Sequence, residues 1–167
     1  MPDVPATAWE TLYRFEDYIE AAAKTILTAR NVTTVYIQQD TTDLVTPRAS
    51  LQFVVGGAIE HYGMRASDGQ MFVDRWQGRL TVEVATARNV NKSSHSAIRS
   101  KVRQYLGQWG LFRTDALLPY HDIARVFEGP SSPIIRTEED EDVSQISFEI
   151  IFGIRSGAWP TSANPAT

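Results

Sequence analysis

Ile146-Ser147-Phe148-Glu149-Ile150-Ile151-Phe152-Gly153-Ile154 carries a large apolar side chain at every even position. A two-residue period places 146, 148, 150, 152 and 154 on one face of an extended chain, so this stretch reads as a β-strand resting on a core. The odd positions, Ser147, Glu149, Ile151 and Gly153, are mixed in polarity, and a strand of this length and strength belongs in the middle of a sheet. Leu80, Val82 and Val84 repeat the alternation, with Thr81 and Glu83 between them. Two such strands make β-structure the frame to which the other elements attach.

Upstream, Thr7-Ala8-Trp9-Glu10 has the spacing of a capping box, in which a hydroxyl accepts from an orphan amide and a glutamate reaches back. The helix that follows puts Leu12, Phe15, Ile19, Ala22, Ala23 and Ile26 on one face and Arg14, Asp17, Glu20 and Lys24 on the other, ending near Arg30-Asn31. Thr34 to Gln38 reads as a strand, Gln39 to Asp43 as a polar turn, and Leu51 to Tyr62 as a longer strand. Gly56-Gly57 inside that strand predicts a bulge or sharp bend. Ser67-Asp68-Gly69 predicts a turn before Gln70 to Trp76, and Gln77-Gly78 separates that segment from the alternation at Leu80, so the order is strand, hairpin, strand.

From Asn91 to Ser96 the period changes. Ile98, Val102, Tyr105, Leu106 and Trp109 share one helical face, and Arg99, Lys101 and Arg103 share the other. Leu111 to Tyr120 is irregular, Ile123 to Glu128 is a strand, and Gly129-Pro130-Ser131-Ser132-Pro133 is a loop, since two prolines restrict it. Glu138-Glu139-Asp140-Glu141-Asp142 follows, and five adjacent carboxylates repel one another, which assigns them to an exposed hairpin tip or a mobile loop. Residues 1–160 form one expected domain, and Thr161 to Thr167 an expected disordered tail. Helix, strands, helix, strands is not the alternation of a doubly wound sheet. The fold class is α+β, a mainly antiparallel sheet with two amphipathic helices packed on one face.

The chain has 167 residues, 43% of them hydrophobic, with 20 acidic against 16 basic side chains and a formal charge of −4. This length supports one sizeable core, and the acidic balance argues against a surface that grips phosphate backbones throughout. Cysteine is absent, which excludes disulfides, thiolate nucleophiles and cysteine-ligated metals. Met1-Pro2-Asp3-Val4-Pro5 has no secretory signal character, and no apolar run approaches the ~20 residues of a membrane span.

Catalytic patterns are weak. His61, His95 and His121 never adopt the spacing of a zinc site, and His95 reads as a capping or exposed polar residue. Ser131 lacks the second glycine of a nucleophile elbow, and Gly56-Gly57 lacks the lysine of a P-loop. Asp74 and Glu83 suggest the paired carboxylates of a magnesium-dependent nuclease on adjacent strands, but Ala85 stands where such sites carry lysine. Lys92, Arg99, Lys101 and Arg103 read as a solvated helix face, and the acidic run lacks the glycine and ligand alternation of a calcium loop. No cofactor or metal is expected.

Taken in order, the N-terminal helix, the Trp76-Gln77-Gly78-Arg79-Leu80-Thr81-Val82-Glu83-Val84-Ala85-Thr86 segment, the helix with Val102-Arg103-Gln104-Tyr105-Leu106, then Arg125-Val126-Phe127-Glu128-Gly129, and the closing strand through Ile154 to Trp159-Pro160 form a pattern. Over roughly residues 10 to 160 it resembles the tail terminator (tail completion) proteins of long-tailed bacteriophages, and head-tail connector and neck proteins are similar at this level. The resemblance implies a structural virion protein without catalytic activity, assembled in the host cytoplasm. It implies a homo-hexameric ring that caps the head-proximal end of the tail tube, ends its polymerisation and offers a surface to the connector or neck protein. Genomic DNA would pass through the lumen without specific binding. A lumen rich in carboxylates would repel that DNA, which makes Glu138, Glu139, Asp140, Glu141 and Asp142 the candidate lumen- or tube-facing residues. The loops at 41–48, 63–69 and 129–142 are long enough to project toward neighbours. The alternatives are a head-tail connector or neck component, the nuclease using Asp74 and Glu83, and a monomeric binding module.

Overall fold

The architecture is known from a computed structural model that describes residues 8–37, 45–62, 73–88, 92–107, 121–137 and 140–154, with the backbone alone at 8–14, 58–62, 73–75, 121, 122, 124 and 154. The elements are α1 (Ala8–Ala29), β1 (Thr34–Ile37), β2 (Arg48–Tyr62), β3 (Val73–Ala87), α2 (Lys92–Leu106), β4 (His121–Glu128), β5 (Ile135–Arg136) and β6 (Glu141–Ile154). Strand order is β1-β2-β3-β6-β4, with β5 beside β6. Every pairing is antiparallel except the short parallel pair β1–β2. The fold is α+β. Thr7, the segments 38–44, 63–72 and 108–120, Glu138, Glu139 and the expected disordered tail 161–167 lie outside the described residues.

The strand quoted first is central, between β3 and β4, and Ile146, Phe148, Ile150 and Phe152 are buried. Leu80 faces Phe148 and Val82 faces Ile146 in register, so the two alternations share one face. Phe15, Ile19, Ala23 and Leu27 of α1 and Val102 and Leu106 of α2 join them in one core, which places both helices on that face. α1 ends where Asn31 takes a left-handed φ of 50° and the Val32 amide donates to the Leu27 carbonyl (3.2 Å). That is a Schellman-type stop, with asparagine tolerating the left-handed position.

Several expectations change. Gln77-Gly78 is no break: β3 runs through it unbroken and pairs on both sides. Gly78 is required because the Phe53 ring lies against its α-carbon. An added Cβ would stand 2.8 Å from Phe53 Cε1 and 2.9 Å from the Val54 carbonyl oxygen. Gly56 is skipped in the β2–β3 register as its sequence suggested, and a second irregularity falls at Ile59.

Glu20, assigned to the outer face of its helix, is 8% exposed. The described part of β1 ends opposite Leu51, so the amides of Phe53 and Val55 have no described strand beside them. They donate instead to Glu20 Oε1 (2.8 Å) and Glu16 Oε1 (3.0 Å), since a buried amide needs an acceptor. Burial pushes the Glu20 carboxyl above its ordinary value, against the pull of the Phe53 amide.

His95 is likewise buried, at 1% exposure, rather than an exposed cap. Its Nδ1 shares a hydrogen bond with the Thr86 hydroxyl on β3 (2.8 Å) and its Nε2 one with the Ser144 hydroxyl on β6 (2.7 Å). One turn on, Arg99 donates to the Ser132 carbonyl (3.3 Å) and is half-buried, whereas Lys101 is exposed and the Arg103 side chain, paired with Glu128 (2.6 Å), stays 40% exposed. His95, Arg99 and Arg103, at four-residue steps, fasten α2 to β3, β6, the end of β4 and the segment after it.

Two measurements test this packing. Gly78→Val is expected to cost about 2–3 kcal/mol by overpacking against Phe53, read as a lower urea midpoint at unchanged slope. Gly57→Ala, where a Cβ meets nothing within 4 Å, should stay within about 0.5 kcal/mol. Burial and then the neighbouring Arg99 hold His95 below its ordinary 6.5, against Asp142. A neutral imidazole is therefore favoured by folding, and its contribution is full above 6.5 and lost as pH falls through the lower folded value. Glu20, with its folded value raised, works in the opposite sense, losing its contribution as pH rises. Urea midpoints of wild type and His95→Gln across pH 4–8 should therefore converge on the acid side. A constant difference at all pH values would refute the assignment.

Candidate functional site

The sheet face away from the helices is built from the even positions of β2 up to Val54 and the odd positions of β3 and β6. No described helix covers it. Arg79 on β3 and Glu149 on β6 are direct cross-strand partners, with Arg79 Nε 2.6 Å from Glu149 Oε1. Gln77 Nε2 donates to the other carboxylate oxygen (3.0 Å). Glu149 is thus satisfied from two sides and almost wholly buried, whereas the Arg79 side chain is 55% exposed. Beside this pair lies an open groove of about 480 Å³, lined by Val54, Gly56, Gly57, Gln77, Gly78, Arg79 and Glu149. Missing side chains at the glycines leave backbone as its floor.

At the other end of the same face Arg48 on β2 reaches across β3 to Glu141 on β6, with two N–H···O bonds of 2.8 Å each. Their registers fall at Ala85 and Ala87, whose small side chains leave room for the bridge. Arg48 is 7% exposed, so this is a bidentate, largely dehydrated pair, and its hydrogen bond holds the Glu141 carboxyl below the usual range.

Glu141 belongs to the acidic run. Thr137 and Glu141 close a hairpin, the Thr137 amide donating to the Glu141 carbonyl (2.8 Å) and the Asp140 amide to the Thr137 carbonyl (3.3 Å), with Asp140 at a left-handed φ of 58°. Asp140, Glu141 and Asp142 therefore sit at a hairpin end, but of these Asp140 alone is exposed, and Glu141 and Asp142 are half-buried. The run's described members are matched by arginines: Asp140 with Arg88 (2.7 Å), Glu141 with Arg48, and Asp142 with Arg136 (3.6 Å). Those partners lie 52 and 93 residues upstream for the first two, and no local spacing announces them. The Gly129–Pro133 loop lies along β6: the Gly129 amide donates to the Ser147 carbonyl (2.8 Å), the Ser132 amide to the Gln145 carbonyl (2.9 Å), and the Ser147 hydroxyl to the Pro130 carbonyl.

The paired-carboxylate reading meets a geometric objection. Asp74 and Glu83 lie on one continuous strand rather than on two, nine positions and about 30 Å apart, too far to share a metal ion. Among the described residues no group of three metal-ligating side chains converges, and no helix is long and apolar enough to cross a membrane.

No protein-family model and no curated protein sequence matches this chain. Among solved structures, a chain of the "Virion of native gene transfer agent (GTA) particle" is similar in fold. The match has a TM-score of 0.52 at 16% sequence identity and covers 92% of this chain and 99% of that one.

Proposed function

We propose that this chain is a structural virion protein of the tail-terminator type, a hexameric ring seated on the head-proximal end of a tail tube. The observation that carries this reading is the likeness to a chain of a gene transfer agent virion along nearly the full length of both proteins. It agrees with the order of elements that resembles tail terminators. The site geometry is compatible with it: a sheet face that no described helix covers, with cross-strand ion pairs and a shallow groove, offers a surface for contact. Tail tube protein and a connector or neck protein would be the neighbours, and Glu138, Glu139, Asp140, Glu141 and Asp142 would face the channel or the tube. Asp140, Glu141 and Asp142 each face an arginine, which would weaken the repulsion of passing DNA by these three.

Electron microscopy of particles lacking the gene is expected to show tubes of uncontrolled length and unjoined heads, and added protein should restore a six-fold ring at one tube end. A twelve-fold ring on the portal side would support the connector reading instead. A protein that stays monomeric and never caps a tube would support a binding module. Glu138→Ser with Glu139→Ser is expected to impair DNA delivery while leaving tail length intact. Unchanged delivery would sink the lumen assignment.

A further inference from the structure

An antiparallel sheet with one face toward water carries polar side chains on that face. The middle of the face that no described helix covers obeys this, with Gln52, Thr81, Glu83, Gln145 and Ser147 at its outward positions. Toward the groove the pattern breaks. There the registers set two rows across four strands: Val54, Arg79, Glu149 and Phe127 form one, and Gly57, Gln77, Ile151 and Arg125 the other. Three of these outward positions are large and apolar, with Val54 51% exposed and Phe127 and Ile151 half-buried. The charges of the patch are sorted by depth. Glu149 is 7% exposed and is taken by Arg79 and Gln77, whereas the Arg79 side chain is 55% exposed and Arg125 is exposed. Outward charge here is therefore positive, on a chain whose formal charge is −4. Both guanidiniums are held in place, Arg79 through Nε by Glu149 and Arg125 with its Cζ 5.3 Å from the centre of the Phe127 ring. A guanidinium has five N–H donors, and one that is held yet exposed suits the paired bonds of a carboxylate. Gly57 leaves the corner of the patch open, since a Cβ there would meet nothing within 4 Å.

We propose that this patch docks an extended segment of a second protein, one in which carboxylates alternate with apolar side chains. Charge selects the carboxylates, and Val54, Phe127 and Ile151 select what lies between them. The α-carbons of Arg79 and Arg125 are two strands and two positions apart, about 12 Å, which suits carboxylates two to four positions apart on an extended segment, about 7–13 Å. An apolar side chain between them would enter the groove of about 480 Å³ over the glycine backbone, against Val54. A nucleic-acid backbone also offers anions to arginine, but it binds by neutralising many phosphates at once. Two arginines separated by apolar side chains and a buried carboxylate fit a peptide better. The chemistry of the patch stands by itself, while the partner's place in a virion rests on the reading above.

The full chain is titrated with a fluorescent peptide of alternating glutamate and valine, read by anisotropy. Saturable binding is expected, and a peptide of alternating lysine and valine should not bind. Gly57→Glu, which puts a carboxylate into open space in the groove, and Arg125→Gln, which leaves the contacts of Glu149 intact, should each weaken binding about tenfold or more, as the loss of a charge-assisted hydrogen bond does. Urea midpoints confirm that both variants fold. Lys101→Gln, at an exposed position of α2, should bind like wild type. No saturable binding, or binding indifferent to Gly57→Glu and Arg125→Gln, overturns the proposal. Short duplex DNA held as tightly through the same arginines and insensitive to Val54→Ser would make phosphate the ligand and overturns it as well. So would self-association in sedimentation equilibrium that Gly57→Glu abolishes, because a second copy would then fill the groove. Peptide binding that depends on the groove, in a protein that never caps tubes, supports the docking patch and refutes the tail-terminator reading. A protein that caps tubes without binding the peptide refutes the patch and leaves that reading standing.

Discussion

Three phenylalanine rings fix the relation between the first helix and the sheet. Phe15 of α1 stacks on Phe152 of β6, with centroids 3.7 Å apart and planes 19° apart, and meets Phe53 of β2 edge-on at 5.2 Å. Phe53 and Phe152 are 6.4 Å apart, across β3, and the space over β3 exists because residue 78 is glycine. Rings of this size bring the largest apolar areas into a core and prefer these offset and edge arrangements. One backbone position without a side chain therefore sets how deeply α1 seats. That depth in turn brings Glu16 and Glu20 within reach of the unpaired amides of β2, where each carboxylate does what a neighbouring strand would otherwise do.

The second helix is held differently. Its apolar contribution to the core is Val102 and Leu106, with Ile98 and Tyr105 packed against it, while His95, Arg99 and Arg103 fasten it by hydrogen bonds. A buried imidazole between two hydroxyls is satisfied in its neutral form at both nitrogens, since each hydroxyl can donate or accept. The contact thus specifies the register of α2 against β3 and β6 without burying a charge. Arg48 and Glu141 solve the opposite problem, two charges on a sheet face, by bidentate pairing over alanines. Breaking such a pair is costlier than never having it, because one charge is then stranded.

The sheet and its central strand were legible in the sequence because period-two alternation reports directly which face is buried. Leu80 to Val84 and Ile146 to Phe152 needed no tertiary information to be placed. The α1 stop at Asn31 and the bulge at Gly56 were legible for a similar reason, since both depend on local backbone chemistry. What misled was local chemistry overruled from a distance. Gln77-Gly78 looked like turn residues, but Phe53 on the next strand required the glycine. Glu20 lay on the polar stripe of its helix until an unpaired strand edge took it in, and His95 sat among serines like a cap until Thr86 and Ser144 closed around it. The candidate site was legible in part. The acidic run was placed at a hairpin end, but the groove beside Arg79 depends on the registers Val55↔Gly78 and Arg79↔Glu149, which no spacing within one strand encodes.

In the proposed ring, any two unlike contact patches on a copy would have to keep a fixed separation and orientation, since a small angular error at each contact accumulates around the circle. The β3–β6 pair is suited to such a requirement. It is in register without a shift from Arg75↔Gly153 to Ala87↔Glu141, and it carries the groove near one end and the hairpin at the other. Its core-side residues at Leu80, Val82, Val84, Ile146, Phe148 and Ile150 are fully or almost fully buried beneath two helices. Close-packed interiors transmit displacement rather than absorb it. The apolar alternation that decides the fold therefore also makes β3–β6 the most regular pair of long strands in the described sheet, and the register irregularities at Gly56, Ile59 and Ala124 fall on β2 and β4.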